Sequence, residues 1–127
     1  MVSIAVFMVV MGVAMAGIWT RDIISGHQLD IAAGRWRARD PQARTVMLPH
    51  WIAEYGTAAS LVAGAVGLLI DAGWGSSLAF VALGALVYTS VNSLGWALAE
   101  RARLPYAVPM LIGAIGGLAV ITGLFVV

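Results

Sequence analysis

Cysteine and lysine are absent from this 127-residue chain, and charge of either sign is scarce: seven arginines, six carboxylates and two histidines. Without cysteine there is no disulfide framework, thiolate metal site or CxxC redox pair. Charged residues make up 10% of the chain, against about 25% in a soluble domain. That deficit excludes a disordered chain, a nucleic-acid binder and an ordinary soluble enzyme. No HExxH, GxSxG or glycine-rich phosphate loop occurs. The length leaves room for one domain, residues 1–127, since ~100–200 residues make one.

What remains is apolar: 61% of the residues are hydrophobic and mean hydropathy is +0.96. Charges punctuate the chain and leave long gaps. Four stretches, about 2–20, 51–70, 77–99 and 105–127, each approach the ~20 apolar residues that cross a bilayer. Their hydropathy lacks the period-2 alternation of barrel strands. The chain therefore reads as an all-α integral membrane protein, an up-down-up-down bundle of four transmembrane helices. Ala14, Met15 and Ala16 in the first stretch have the look of a signal-peptide cleavage site. No basic residue precedes Arg21, whereas a signal peptide wants a positive start, so the stretch is read as a true span.

Arginine sets the expected orientation. Arg21, Arg35, Arg37, Arg39 and Arg44 lie between spans one and two, and Arg101 and Arg103 between spans three and four; the middle link holds only Asp71. Basic loops stay cytoplasmic, so the chain is expected in the cell (plasma or inner) membrane with both termini and the Asp71 turn outside. The first loop, 21–50, is too long to be structureless in so small a protein. Ser25 and Gln28 have capping-box spacing, with Gly34 as a stop, which predicts a short interfacial helix over 26–33. Asp40 and Pro41 read as an N-cap and first helical residue, predicting a second short helix to residue 47.

Small residues recur at helical spacing: Gly56, Ser60 and Gly64; Ala59, Ala63 and Gly67; Gly113 and Gly117; Gly12 and Ala16. Such stripes let helices approach closely in lipid. Gly17, Trp19 and Arg21 at the end of span one echo Gly95, Trp96 and Arg101, although interfaces gather such residues in any case.

Polar side chains inside the spans gather at the arginine end. Thr89, Asn92, Trp96 and Glu100 share a helical face, with Tyr88 and Ser93 beside it. His50 and Glu54 are one turn apart in span two, with Thr57 further along. The remaining halves of the spans carry nothing ionisable, so a through-going pore in one chain is disfavoured. A polar cavity open to the cytoplasm fits better. Intramembrane ionisable groups mark function, so Glu54 and His50 are the acid–base candidates. Asn92, Tyr88, Trp96 and Glu100 are expected to line the site. Arg35 and Arg37 are candidates for lipid phosphate. His27 with Asp30, and His50 with Glu54, have helical spacing for a metal, but each pair is weak alone and no metal is expected. No cofactor is indicated.

The expected function is binding of an amphipathic or lipid-like molecule in that cavity, with acid–base catalysis in an enzymatic version. Two alternatives stand beside it: a non-enzymatic accessory or assembly subunit of a larger membrane complex, and a homo-oligomeric small transporter or channel. Membrane lipid, further copies of the chain or a larger complex are the expected partners, and nucleic acid is not. The orientation has a direct check. In a chain without native thiols, cysteines introduced at Ser3 and Arg39 should be labelled by an impermeant reagent from opposite sides of the membrane. Labelling of both from outside would reverse the assignment.

Overall fold

The computed structural model describes residues 1–25, 41–99 and 104–126, with side chains described throughout these except at 22, 25, 41–47, 96 and 99. The first helix, α1, spans Val2–Ser25; α2 spans Pro41–Leu69; α3 spans Gly75–Ala99. A fourth rod is composite: α4 at Leu104–Leu111, a π-helical turn at Ile112–Gly116, and α5 at Gly117–Val126. Four stretches are long and apolar enough to cross a membrane: Val2–Arg21, Leu48–Leu69, Gly75–Gly95 and Leu104–Val126. The protein is thus an all-helical, multi-pass membrane protein. In lipid every backbone polar group must be satisfied within the chain, and uninterrupted helices do this.

Two boundaries differ from those read off the sequence. The short helix expected to end at residue 47 is the beginning of α2, which runs unbroken from Pro41 through Pro49. Pro41 suits a helix start, where a missing N–H is harmless, and Pro49 removes one bond of a long ladder. The fourth span is not one regular helix. Pro109 has no N–H for the carbonyl four residues back, and the widened turn at Ile112–Gly116 follows directly. The interfacial helix expected over 26–33 lies outside the described residues.

Each rod packs antiparallel on the next, and the residue pairings show the sense. Gly12 of α1 meets Ala58 of α2, whereas Trp19 meets His50. Gly64 of α2 meets Ala79 of α3, and Gly67 meets Gly75. Ser90 of α3 meets Gly113, and Val87 meets Gly117. The fourth rod also returns to α1, where Phe7 lies against Gly116 and Met11 against Gly113. Met8, Leu61, Leu83 and Leu86 are the largest fully buried apolar side chains, at the centre. Val6, Val10 and Val13 on α1, Val81 on α3, and Ile115, Leu118 and Phe125 on the fourth rod face outward, as lipid-contacting surface should.

The α2–α3 turn is a tight helix stop. Ala72 N–H donates to the Gly67 carbonyl at 2.9 Å and Asp71 N–H to the Leu68 carbonyl at 3.4 Å, the paired bonds of a Schellman cap. Asp71 holds the left-handed position of that cap, with φ 52°. Aspartate tolerates this conformation better than most residues with a Cβ. Beside the turn, a Cβ on Gly75 would stand 2.6 Å from the Gly67 carbonyl oxygen, so the two helices leave the turn in backbone contact.

Only part of the small-residue pattern serves these contacts. Gly12, Gly64, Gly67, Gly113 and Gly117 lie at helix crossings, whereas Gly56, Ala59 and Ala63 face outward. A Cβ at Gly12 would come 2.9 Å from the Ala58 carbonyl oxygen, while one at Gly56 would meet nothing within 4 Å. Gly12→Val should therefore lower the unfolding temperature in detergent, through a loss of about 1–3 kcal/mol. Gly56→Val should leave it unchanged or higher. Asp71→Gly should stabilise by about 1 kcal/mol through relief of the left-handed backbone. Circular-dichroism melts of the three variants read all of this.

Candidate functional site

Glu54 is the deepest charge-bearing side chain among the described residues, with 2% of its surface exposed. It sits six residues into the membrane-crossing part of α2, counted from Leu48, which is about 1.7 turns or ~9 Å at 1.5 Å per residue. Helices α1 and α3 supply its neighbours. Its carboxyl accepts hydrogen bonds from the Trp19 indole N–H and the Ser93 hydroxyl. His50, one turn earlier on α2, brings Nε2 to 3.6 Å from Glu54 Oε1. The Trp19 ring stands edge-to-face on His50, with centroids 4.9 Å apart and planes at 75°. Trp19 is thereby held at its ring by α2 and at its N–H by the carboxyl.

Glu54 Oε1 is buried and has no hydrogen-bond partner among the described residues. An acceptor in that condition costs its full desolvation, about 1–3 kcal/mol or more for a charged group. Glu54 lines a cavity of about 30 Å³ together with residues of all the other rods. Besides Glu54, the lining has the Trp19 indole and the hydroxyls of Thr89, Ser90 and Ser93, and the apolar wall includes Met11, Met15 and Met110. A volume of that size holds one water-sized group, not a whole amphiphile. The hydroxyls further along are engaged by their own helices. Thr57 donates to the Ala53 carbonyl at 2.8 Å and Thr89 to the Leu86 carbonyl at 3.2 Å.

The cavity lies between α1 and α4, which make no extensive contact with one another. Beyond it, Met8, Leu61 and Leu83, with Leu86 at the cavity's edge, fill the interior. Thr20 and Tyr55 tie α1 to α2 near the rim, with their hydroxyls 2.7 Å apart.

The residues expected from the sequence are only partly assembled. His50 and Glu54 are together and inward. Tyr88 and Asn92 are not part of the lining: Tyr88 is 73% exposed and Asn92 is also on the outer face. Helix α3 is rotated so that Leu86, Thr89, Ser90, Ser93 and Ala97 face inward. Thr89 and Ser93 thus replace Asn92 as the polar face of the interior. The reason is packing: Ser90 is small enough to let α3 approach Gly113, and an asparagine or tyrosine there is not. The Trp96 side chain, Glu100, Arg35, Arg37, His27 and Asp30 lie outside the described residues. Trp19, Ser90, Ser93 and the methionines were missed as site residues. One signal was available for Trp19, which falls two residues before Arg21 at the level of His50.

Among the described residues no three histidine or carboxylate side chains gather as a metal site. His50 and Glu54 together would offer a cation two donors. The arrangement can accept a hydrogen bond or a proton at Glu54 Oε1, pass a proton between Glu54 and His50 after a shift of a few tenths of an ångström, and exclude bulk water.

No curated protein and no solved structure matches the chain. A family model does, over residues 1–127, the whole length. The chain belongs to the family described as a domain of unknown function, DUF8058.

Proposed function

We propose that this protein binds an amphipathic, membrane-dissolved molecule whose hydrogen-bond-donating head group meets Glu54, on the cytoplasmic side of the plasma membrane. The observation that carries the reading is Glu54, whose Oε1 is a buried acceptor with no hydrogen-bond partner among the described residues, lining a cavity with a largely apolar wall. A hydroxyl or amine would satisfy that oxygen. The head group enters the cavity, and the apolar body lies outside it along the seam between α1 and α4.

The wall of the cavity is built to yield. Met11, Met15 and Met110 are unbranched and adaptable. Pro109 and the π-helical turn make the fourth rod the least regular of the four, and it is also the least buried, at 17% of its membrane-crossing window against 44% for the second. An outward shift of α4 enlarges the cavity without disturbing α1, α2 and α3. In an enzymatic version Glu54 takes a proton from the head group and His50 relays it. A channel through a single chain is disfavoured, because Met8, Leu61 and Leu83 leave no route past the cavity.

The test is native mass spectrometry of the purified protein with its co-purifying small molecules. The wild-type chain should carry a bound amphiphile. Glu54→Gln should retain the fold by its melting temperature and lose that species at least about tenfold, the ~1.4 kcal/mol expected of one hydrogen bond to a charged group. Met15→Trp, which fills the cavity and leaves the carboxyl intact, should displace the same species. Undiminished binding in both variants would overturn the assignment.

A further inference from the structure

The polar part of the Glu54 cavity is rich in acceptors and poor in donors. Its polar side chains among the described residues are Trp19, Glu54, Thr89, Ser90 and Ser93. Most of the hydrogens they carry are already committed. The Trp19 N–H and the Ser93 hydroxyl donate to the Glu54 carboxyl, and the Thr89 hydroxyl donates to the Leu86 carbonyl at 3.2 Å. A hydroxyl that donates its hydrogen keeps two lone pairs, so Thr89 and Ser93 remain acceptors. Glu54 Oε1 is a further acceptor, with no hydrogen-bond partner among the described residues. Within the described lining, the Ser90 hydroxyl is the one hydrogen left to offer.

Charge and size narrow the occupant further. No basic side chain is among the described lining. A carboxylate buried in a membrane is costly unless a positive group pairs with it. The volume, about 30 Å³, holds one water-sized group. A primary ammonium is of that size, carries the opposite charge, and has three N–H donors and no acceptor. A hydroxyl brings one hydrogen and two lone pairs to a site that is short of donors. A trimethylammonium has the charge but no N–H, and its methyl groups exceed the volume. A carboxylate or phosphate sets like charge beside Glu54.

We infer that the head group taken at Glu54 is a primary ammonium carried on an aliphatic chain. The inference rests on the reading that Glu54 receives the head of an amphiphile, and it selects one chemical class from those that could donate to the carboxyl. An aliphatic amine resembles the lysine side chain, whose pKa is about 10.4, so the ligand arrives as a cation at neutral pH. Its N–H groups meet Glu54 Oε1 and the free lone pairs of Thr89 and Ser93. Its first methylene groups meet the methionine wall, and the chain continues along the seam between α1 and α4.

A series with one tail and four heads tests this: decylammonium, decanol, decyltrimethylammonium and decanoate, titrated at pH 7 in a non-ionic detergent and followed by native mass spectrometry. The wild-type protein should bind decylammonium at least about tenfold more tightly than decanol, the margin of one hydrogen bond to a charged group. The other two heads should show no saturable binding. Glu54→Gln should weaken decylammonium at least about tenfold and leave the amine no tighter than the alcohol. The comparison within the wild-type protein stands whether or not that variant folds. Decanol as tight as decylammonium, with both weakened by Glu54→Gln, would overturn the ammonium and keep the amphiphile reading. Decyltrimethylammonium as tight as decylammonium would also overturn the ammonium. Ammonium chloride binding as tightly as decylammonium would keep the ammonium and overturn the amphiphile. No saturable binding of any head, or decylammonium binding undiminished in Glu54→Gln, would overturn both.

Discussion

Close backbone approach is the constraint on which this bundle depends. Between helices in lipid there is no hydrophobic driving force, because the acyl chains are as apolar as the side chains. Contact then comes from dispersion and polar groups, which act only over short distances. Gly12 under the Ala58 carbonyl, Gly64 beside Ala79 and Gly113 beside Ser90 are the places where two helices come near enough. Each lies at a crossing between neighbours in the ring of four rods. The antiparallel order follows from the Asp71 cap and the register of those contacts.

That close packing isolates Glu54. Because α1, α2 and α3 meet tightly beyond it, the carboxyl looks into an interior closed by Met8, Leu61 and Leu83. The same approach brings Trp19 and Ser93, from two other helices, within hydrogen-bonding reach. A carboxyl on an isolated α2 would face lipid with only His50 near it. The site is thus a product of three helices, and the fourth, broken at Pro109 and widened at Ile112–Gly116, forms its adjustable side.

The four spans were legible because their signal is one-dimensional: long charge-free runs need no knowledge of neighbours. Glu54 and His50 were legible for a related reason, since an ionisable pair one turn apart inside a span is rare whatever surrounds it. The rotation of α3 was not. A helix apolar nearly all round has little amphipathic pattern to orient it, so the inward face was inferred from its polar residues. That inference put Tyr88 and Asn92 inside, whereas the room available at Gly113 admits Ser90 and leaves the larger side chains out.

By itself the sequence determined that the chain crosses a membrane four times, that its arginines gather in two alternate links, and that a carboxylate lies within one span near their level. Hydrocarbon thickness and the energetic demand to satisfy every backbone group decide those matters locally along the chain. Only the tertiary structure decided that Trp19 and Ser93 hold Glu54, that Pro49 is carried inside one continuous helix, and that Tyr88 and Asn92 look outward. These depend on the rotation of each helix about its axis, and that rotation is set by which small side chains meet across each crossing.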